Sequence, residues 1–358
     1  MHPISRAEIS AAEWDGLVHG SPDGWVFSLF GWQDLILTVE RWSLQEMSFG
    51  LRENGRLVAV VPLQFNPNNR RVSSSGWSGS GPVLDGSLSP AARDRILEAA
   101  IGHCLDRARQ CGADAFDFTL SPVTRSSINA PWGVNPFVFH GLDDVSGLSQ
   151  VIDLAQPEDR LWADLSTLTH RMIHRARKHG YSVERLDWAE SLDHYYGLHC
   201  ATYRRTGVPP HPRSYFAGIA AVTAASGNSV LWGVRDPSGS IVACHNSAWF
   251  GEGAYYHTGC SEDGANQTGA SYLLFWGAIL GARAAGLRWY DCGAIFPNAT
   301  DAKQRGLTTF KTKFGGTPHR MFQVQATFPQ PEAPPVRRSL PRRAASRLKR
   351  ILCEGILR

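Results

Sequence analysis

The 358-residue sequence contains the same order of elements twice, and this internal repeat restricts the possible folds more than any other feature. Residues 50–61 and 233–243 each contain an apolar strand, a turn rich in Asn, Asp, Pro or Gly, and a β-branched return strand. This pattern is typical of a β-hairpin. Each hairpin is followed by further strand sequence, a long helix and a buried strand. The sequence therefore predicts two copies of one mixed α/β unit.

The long helices provide the clearest match between the two copies. Apolar residues on one face predict a helix from about Pro90 to Cys111, and the second copy has its counterpart from Ser271 to Ala285. A glycine follows each helix, Gly112 in the first copy and Gly286 in the second. Glycine is favoured there because a helix commonly ends on a residue with a left-handed backbone.

The length and the turn-rich connections predict three parts. We expect an N-terminal unit at residues 1–145, a C-terminal unit at residues 146–330 and a basic tail at residues 331–358. The tail is rich in Pro and Arg and contains eight Lys or Arg and two Glu, a net charge of +6, whereas the whole chain carries +4. The body of the protein is therefore close to neutral.

The sequence indicates a cytoplasmic protein. No apolar run approaches the roughly 20 residues that span a bilayer, and the first ten residues lack the pattern of a secretory signal. The seven cysteines contain no C-x-x-C pair, so we expect neither a metal site nor a disulfide framework. In the tail, four apolar residues recur at helical spacing among basic ones, which suits a helix on the inner face of an anionic membrane or on RNA; disorder is the alternative.

Three stretches of the sequence resemble one known family. They are Gly24-Trp-Val-Phe-Ser-Leu-Phe-Gly-Trp32, Thr202-Tyr-Arg-Arg205-Thr-Gly207 and, most specifically, the segment from Leu273 to Gly316 that ends in Phe310-Lys311-Thr-Lys-Phe314-Gly315-Gly316. The sequence resembles the Fem family, whose GNAT-like members move an amino acid from aminoacyl-tRNA onto an amine. BioF2-like GNAT acyltransferases are a close second resemblance. Both imply an α/β fold of two tandem GNAT-like units, each a mixed central sheet flanked by helices.

The resemblance implies an activity and a set of substrates. The expected protein is an aminoacyl-tRNA-dependent aminoacyltransferase that forms an amide bond on a small metabolite, a peptide or a cell-wall precursor, with no bound cofactor or metal. The first alternative is an N-acyltransferase that uses acyl-CoA. The second is a non-catalytic binding protein that has kept the fold.

Acyl transfer to an amine passes through a tetrahedral oxyanion, which the enzyme must stabilise with a charge or fixed donors. The resemblance assigns this role to Lys311, with Phe310 packing against the donor. A solvent-exposed lysine on a strand is the alternative for Lys311.

An aspartate occupies the matching place on the strand after each helix, Asp117 in the first copy and Asp291 in the second. Burial at the end of an apolar strand would raise the pKa of Asp291 and let it accept a proton from the amine. The matching Asp117 points instead to a structural role shared by both copies, and for Asp291 both interpretations stay open.

Candidate acceptor-binding residues are Tyr256, Arg205 and Tyr215. Side chains alternate along a strand, so Tyr256 should face away from Tyr255 and His257. Tyr256 resembles an acceptor-binding tyrosine of the family, and the Arg205 guanidinium suits a phosphate or carboxylate. Core packing for the tyrosines and simple surface exposure for Arg205 are the alternatives.

Two segments are candidates for binding the donor. Arg171, Arg175 and Lys178 would share one helix face, which suits the backbone of tRNA, although charged helical faces are commonly just solvated. Gln267 and Gly269 are what remains of a phosphate-binding loop before the second long helix. Because this loop is eroded, we expect tRNA rather than CoA as the donor.

Overall fold

The structure is a computed structural model that describes residues 1–74, 80–130 and 133–328. Residues 1–327 form one compact unit. The predicted basic tail at residues 331–358 lies outside the described residues. Across the described ranges, every helix is too short or too polar to cross a lipid bilayer.

The described residues form strands and helices in the alternation that the repeat predicts. The strands are β1 (His2–Ser5), β2 (Gln45–Glu46), β3 (Phe49–Glu53), β4 (Arg56–Val61), β5 (Gln64–Asn66), β6 (Arg71–Ser73), β7 (Val83–Leu84), β8 (Ala115–Thr119), β9 (Asp143–Asp144), β10 (Gly147–Asp153), β11 (Ser182–Leu186), β12 (Ser229–Arg235), β13 (Ile241–Phe250), β14 (Gly253–Ser261), β15 (Trp289–Ile295), β16 (Thr317–Met321) and β17 (Gln323–Thr327). The α-helices are α1 (Ala11–Gly20), α2 (Phe30–Leu37), α3 (Pro90–Gln110), α4 (Arg125–Ile128), α5 (Glu158–Ala163), α6 (Thr167–Lys178), α7 (Trp188–Thr206), α8 (Arg213–Gly218), α9 (Ala265–Thr268), α10 (Ala270–Ala284) and α11 (Ala302–Thr312). Short 3-10 helices cover Arg6–Glu8, Val26–Ser28, Glu40–Trp42 and Pro136–His140, and a π-helix covers Ile219–Ala224.

The C-terminal half is built on one seven-stranded sheet. Its strand order is β11-β12-β13-β14-β15-β10-β16. All neighbours are antiparallel except β14 and β15, which are parallel because α9 and α10 form the crossover between them. Helix α10 packs on β12 and β13, with α6 against its other side.

The N-terminal half divides its strands between two sheets, with orders β1-β3-β4-β7 and β2-β5-β6-β8-β17-β9. Here β6 and β8 are the parallel pair, joined through α3. Strand β17 comes from the C-terminal end of the unit, yet it pairs with β8 and β9. Residues 1–327 pack as one compact unit. The boundary between the two repeat copies at residue 145 therefore stays a prediction.

The two predicted long helices are confirmed within one residue at each end, and both predicted hairpins are present, although the strands of the second extend beyond residues 233–243 on both sides. The hairpins are β3-β4 and β12-β13, and the long helices are α3 and α10. Helix α3 begins where the Ser89 hydroxyl accepts a hydrogen bond from the N–H of Ala92 (3.3 Å), with Pro90 in the first turn. Gly112 and Gly286 have φ values of 69° and 83°, the left-handed conformation expected after a helix.

Two apolar clusters support the sheets. One joins α1 and α2 to the face of β14 that carries Tyr255, and it includes the fully buried side chains of Trp14, Trp32 and Phe27. The other lies between α10 and the opposite face of the seven-stranded sheet, where Phe275 and Tyr290 are buried. Helices therefore cover both faces of a mixed sheet, which confirms the predicted fold class.

Candidate functional site

The centre of the seven-stranded sheet opens where its two parallel strands separate. Strands β14 and β15 pair only from Gly253–Tyr255 to Trp289–Asp291. Beyond that point β14 stays paired with β13 as far as Ser261, while β15 stays paired with β10 as far as Ile295. The two strands diverge, and the sheet is left with a split that faces the start of α10.

Helix α11 lies against this split and closes one side of a cavity of about 430 Å³. We call it the split cavity. It is lined by residues of β13, of β14 beyond the pairing, of the first turns of α10 and of α11, among them Tyr256, Gly259, Ser271, Phe275, Leu307 and Phe310. Its volume suits one small ligand or one end of a larger ligand.

Lys311 is buried in the last turn of α11, with 8% of its surface exposed. Its ammonium donates a hydrogen bond to the carbonyl of Ala294 on β15 (2.8 Å). A Cβ at Gly293 would lie 2.8 Å from Nζ, so the glycine makes room for the ammonium. The alternative of an exposed strand lysine is wrong, because the residue is helical and the side chain enters the diverging end of β15.

Asp291 is fully buried on β15. It accepts hydrogen bonds from the Ser149 hydroxyl and from the N–H of Gly293 (2.7 Å), while its second oxygen has no partner among the described residues. Burial raises the pKa of Asp291 to about 6, opposed by its hydrogen bonds and by the charge of Lys311. Burial in turn lowers the pKa of Lys311, and the Asp291 charge opposes that shift. The two groups thus favour each other's charged forms in a dry environment.

Phe310 and Tyr256 both line the split cavity and both pack on Phe275. The half-buried Phe310 ring contacts Tyr272 (5.4 Å between centroids) and Phe275 (5.6 Å). Tyr256 also contacts Phe275 (5.2 Å), whereas Tyr255 points to the opposite face and packs on Phe27. The predicted alternation of side chains along β14 is confirmed.

His245 also lines the split cavity, and the sequence analysis missed it. Its Nε2 is 2.6 Å from the Tyr290 hydroxyl, and its ring lies 4.6 Å from that of Tyr256. Burial lowers the pKa of His245 to about 3, so the imidazole is neutral at physiological pH. A histidine within an apolar strand carries no motif, and its partner Tyr290 is 45 residues away in sequence.

The other two predicted acceptor residues lie apart from the cavity wall. Tyr215 on α8 is fully buried, with its hydroxyl 3.0 Å from Nε2 of His257 and its ring packed on Trp32. The exposed Arg205 donates to the carbonyl of Ser261 (2.6 Å) at the end of β14. Arg205 therefore stands at the rim of the split cavity, and Tyr215 belongs to the core on the other face of β14.

The predicted basic helix is present as α6, which packs against α9 and α10. Arg171, His174, Arg175 and Lys178 are all exposed, while Ile173 and Ala176 are buried. We call the exposed set the α6 stripe. Its three Lys and Arg side chains form no ion pair within the part of the chain that the structure describes.

In the loop before α10, the backbone N–H groups donate hydrogen bonds to acceptors within the loop itself. The N–H groups of Gln267 and Thr268 bond to the carbonyl of Gly264, that of Gly269 to Asn266, and that of Ala270 to the Thr268 hydroxyl. Gly269 has a φ of 90°, and a Cβ there would lie 2.2 Å from the Met172 carbonyl on α6. Gly269 is therefore required for packing. Gln267 is exposed.

Comparisons with known proteins agree with this geometry. Residues 167–311 match the acetyltransferase (GNAT) domain family. No curated protein matches the chain significantly in sequence.

Similar solved structures cover nearly the whole chain. FemX aligns with a TM-score of 0.68 at 16% identity, covering 92% of this chain and 98% of FemX. The C-terminal domain of a putative lysylphosphatidylglycerol synthetase from Agrobacterium fabrum aligns with a TM-score of 0.56 at 14% identity, covering 88% of this chain and 91% of that domain. A tandem GNAT protein from the clavulanic acid biosynthesis pathway aligns with a TM-score of 0.52 at 14% identity, covering 92% of this chain and 98% of that protein.

At these identities the structural likenesses establish the fold, and the sequence match adds the family of the domain that contains the split cavity. Residues 167–311 therefore belong to a domain of the acetyltransferase (GNAT) family, and the chain as a whole has a fold of two GNAT-like units similar to those of FemX and the tandem GNAT protein.

Proposed function

We propose that the protein transfers an aminoacyl group from aminoacyl-tRNA to an amine, with the donor ester held in the split cavity. The observation that carries the proposal is the α6 stripe. Its Arg171, Arg175 and Lys178 are exposed and lack acidic partners among the described residues, and α6 packs against the loop that borders the split cavity. Unpaired cations in a row next to the reaction site suit the phosphates of a tRNA acceptor end. This substrate also fits a cytoplasmic location.

The folded loop before α10 supports tRNA over CoA. A phosphate-binding loop presents free N–H groups to its ligand. Here four successive N–H groups, from Gln267 to Ala270, already have acceptors within the loop. A pyrophosphate would have to replace these hydrogen bonds.

In the proposed reaction the acceptor nitrogen attacks the ester carbonyl of the donor. A C–N bond forms, the ester C–O bond breaks, and the ribose hydroxyl of tRNA leaves with a proton lost by the amine. The transient oxyanion is stabilised by a fixed positive charge or by hydrogen-bond donors about 3 Å away. Lys311 suits this role because its ammonium is held on β15, one residue from Phe310 in the wall of the split cavity.

Asp291 suits a positioning role in this reaction. A lysine as buried as Lys311 tends to lose its proton, and the nearby carboxylate opposes that loss. Neither side chain lines the split cavity, but Lys311 keeps 8% of its surface exposed, whereas Asp291 has no exposed surface. We therefore propose that Asp291 keeps Lys311 charged, rather than accepting the proton of the amine directly.

For the acceptor we propose a small amine, a peptide or a cell-wall precursor whose reactive end approaches Tyr256. Arg205 at the rim offers a charge for an anionic group of that acceptor.

A donor of the acyl-CoA type is the second candidate. The observation in its favour is that Ser271, in the first turn of α10, lines the split cavity. A helix N-terminus carries partial positive charge and attracts phosphate groups.

The deciding experiment measures binding of the protein to total aminoacylated tRNA and, separately, to acetyl-CoA across a salt series. The test variant is the triple substitution Arg171→Gln, Arg175→Gln and Lys178→Gln. The matched control is Arg56→Gln, Arg95→Gln and Arg109→Gln, which removes three exposed cations that each have an acidic partner.

Both triple variants change the net charge by the same amount, so they separate a local contact from a general electrostatic effect. We expect tRNA binding whose salt dependence weakens by about one unit of slope for each stripe contact removed, with little change in the control. Equal losses in both variants would contradict the stripe as a binding surface. Binding of acetyl-CoA without tRNA would favour the second candidate.

A further inference from the structure

The N-terminal half contains its own opening between strands, in the place that corresponds to the split cavity. The parallel pair β6 and β8 aligns only Arg71–Ser73 with Ala115–Asp117. The next strand, β7, then pairs with β4 in a different sheet. In both halves, the strand that precedes the long helix separates from the strand that follows the helix. These strands are β7 and β8 in the N-terminal half and β14 and β15 in the C-terminal half.

A cavity of about 480 Å³ occupies this opening. We call it the N-terminal cavity. Its walls come from β7, the first two turns of α3 and the residue after β8, represented by Leu84, Leu97 and Leu120. The corresponding elements β14, α10 and α11 surround the split cavity. The repeat therefore provides two cavities, and the one in the N-terminal half has no part in the proposed transfer reaction.

The walls of the N-terminal cavity are mainly apolar and partly aromatic. Phe137 and Phe322 line it and are buried, while Phe139 lines it with 78% of its surface exposed to solvent. A large exposed aromatic ring beside an apolar cavity is unfavourable in water, and a ligand with an apolar body would cover it. Aromatic faces also attract cations.

The charges at the N-terminal cavity leave one carboxylate without a counter-charge. The Arg93 guanidinium donates to both oxygens of Asp23, whose side chain is almost fully buried. This pair is neutral as a whole. Asp94 also lines the cavity and is exposed, and its carboxylate has no partner among the residues that the structure describes. Apart from His140, these three are the ionisable side chains that the described residues contribute to the cavity wall, so the wall attracts a cation more than an anion.

We propose that the N-terminal cavity binds a hydrophobic amine, a molecule with an aliphatic or aromatic body and one ammonium group. The apolar body fills the space between Leu97 and Leu120 and covers Phe139. The ammonium lies against Asp94. Among the described residues, no lysine lines the N-terminal cavity, and this site binds its ligand without acyl transfer.

The test is a calorimetric titration of the full chain with three probes of equal chain length. The probes are octylammonium, octanoate and octanol. We expect octylammonium to bind at least about fivefold more tightly than octanoate, because the opposite charges of probe and Asp94 attract. Asp94→Asn should remove this preference. Glu98→Gln is the matched control, since Glu98 is exposed on the same helix and does not line the cavity.

Two bulky substitutions locate the binding. Leu97→Trp fills the N-terminal cavity and should weaken octylammonium binding at least tenfold, whereas Leu307→Trp at the split cavity should leave it unchanged. If Leu97→Trp lowers the unfolding temperature markedly, Ser127→Phe fills the same cavity from its more exposed wall. Equal affinity for all three probes, or unchanged binding in both filled variants, would overturn the proposal. Loss of binding in Leu307→Trp alone would place the amine in the split cavity instead.

Discussion

The two aspartates at the matching position of the repeat have different surroundings. Asp117 on β8 pairs with Arg71 on the neighbouring parallel strand β6, and both side chains reach solvent in part. Asp291 on β15 is fully buried, receives hydrogen bonds from neutral groups and leaves one oxygen unpaired among the described residues. Burial raises the pKa of both carboxyls, but Arg71 opposes the shift directly at Asp117. The repeat thus conserves the position of the acid and changes its chemistry.

The segments that follow β8 and β15 also differ between the two halves. In the C-terminal half, the 11-residue helix α11 brings Lys311 to the diverging end of β15. In the N-terminal half, the four-residue α4 and a short 3-10 helix occupy the corresponding part of the chain. A buried ammonium near a buried carboxylate costs folding free energy. Such a pair is expected at an active site, because it can stabilise the charge that develops during a reaction. This difference supports the proposal that the transfer chemistry belongs to the second copy.

The largest effect should come from removing the ammonium of Lys311. Lys311→Met keeps the length of the side chain and should lower the rate of amide formation by about 10²–10³-fold, the usual effect of losing one oxyanion-stabilising group. Arg71→Met removes the cation nearest to Asp117 and should leave the rate unchanged. The measurement is single-turnover transfer with the donor identified in the binding experiment. An unchanged rate in Lys311→Met would assign the oxyanion to other donors, with His245 the first to test.

The starts of the two long helices should differ in their tolerance of alanine. Gly269→Ala places a Cβ 2.2 Å from the Met172 carbonyl and forces alanine to a φ of 90°, so we expect a loss of about 3 kcal/mol or more in the free energy of unfolding. Ser89→Ala at the start of α3 removes one capping hydrogen bond and should cost about 1 kcal/mol. Denaturant titration measures both. Similar losses would show that Gly269 is held less tightly than its contact with α6 indicates.

The two aspartates should also differ in how they make stability depend on pH. The pKa of Asp291 is about 6 in the folded protein and near 3.8 when unfolded, so its contribution favours the folded state below about pH 4 and is lost as the pH rises through about 6. At about 1.4 kcal/mol per pKa unit, this loss is about 3 kcal/mol. Asp291→Asn should remove this pH dependence, and Asp117→Asn should change it less because Arg71 opposes the shift.

Unfolding free energies measured from pH 4 to pH 8 test this difference. Equal pH profiles for Asp291→Asn and the wild-type protein would mean that the carboxyl of Asp291 stays ionised throughout the range. A transfer assay over the same range adds a second readout. If Asp291 positions and charges Lys311, Asp291→Asn should lower the rate and shift its pH profile as well.

The sequence predicts the repeated elements well because their signals are local. Hairpin turns, one-sided apolar helices and the glycines after them depend on neighbouring residues, and they appear within a residue or two of their expected places. The place of β17 was not predictable, because it depends on contacts between residues about 200 positions apart.

In the candidate site, too, the residues that local sequence signals could not predict are those brought in by contacts between distant parts of the chain. Phe310 and Lys311 were found through a resemblance, and Tyr256 through alternation along a strand. Ser149, Gly293 and His245 join them through pairing and crossing of strands that are distant in sequence. The sequence likewise could not show that Tyr215 faces the core, since an apolar surrounding is assembled from several helices.

The smallest effect on stability should come from substitutions in the α6 stripe. Comparing them with a buried ion pair separates charges that serve binding from charges that stabilise the fold. Arg175→Gln removes an exposed cation without an ion-pair partner among the described residues, so we expect a change within about 0.5 kcal/mol in the free energy of unfolding. Arg93→Gln in the N-terminal half leaves the almost fully buried Asp23 without its cation and should cost several times more. If Arg175→Gln destabilises the protein as much as Arg93→Gln, the stripe is part of the folded framework. If it leaves stability unchanged and weakens tRNA binding, the unpaired charge of α6 is explained by its ligand.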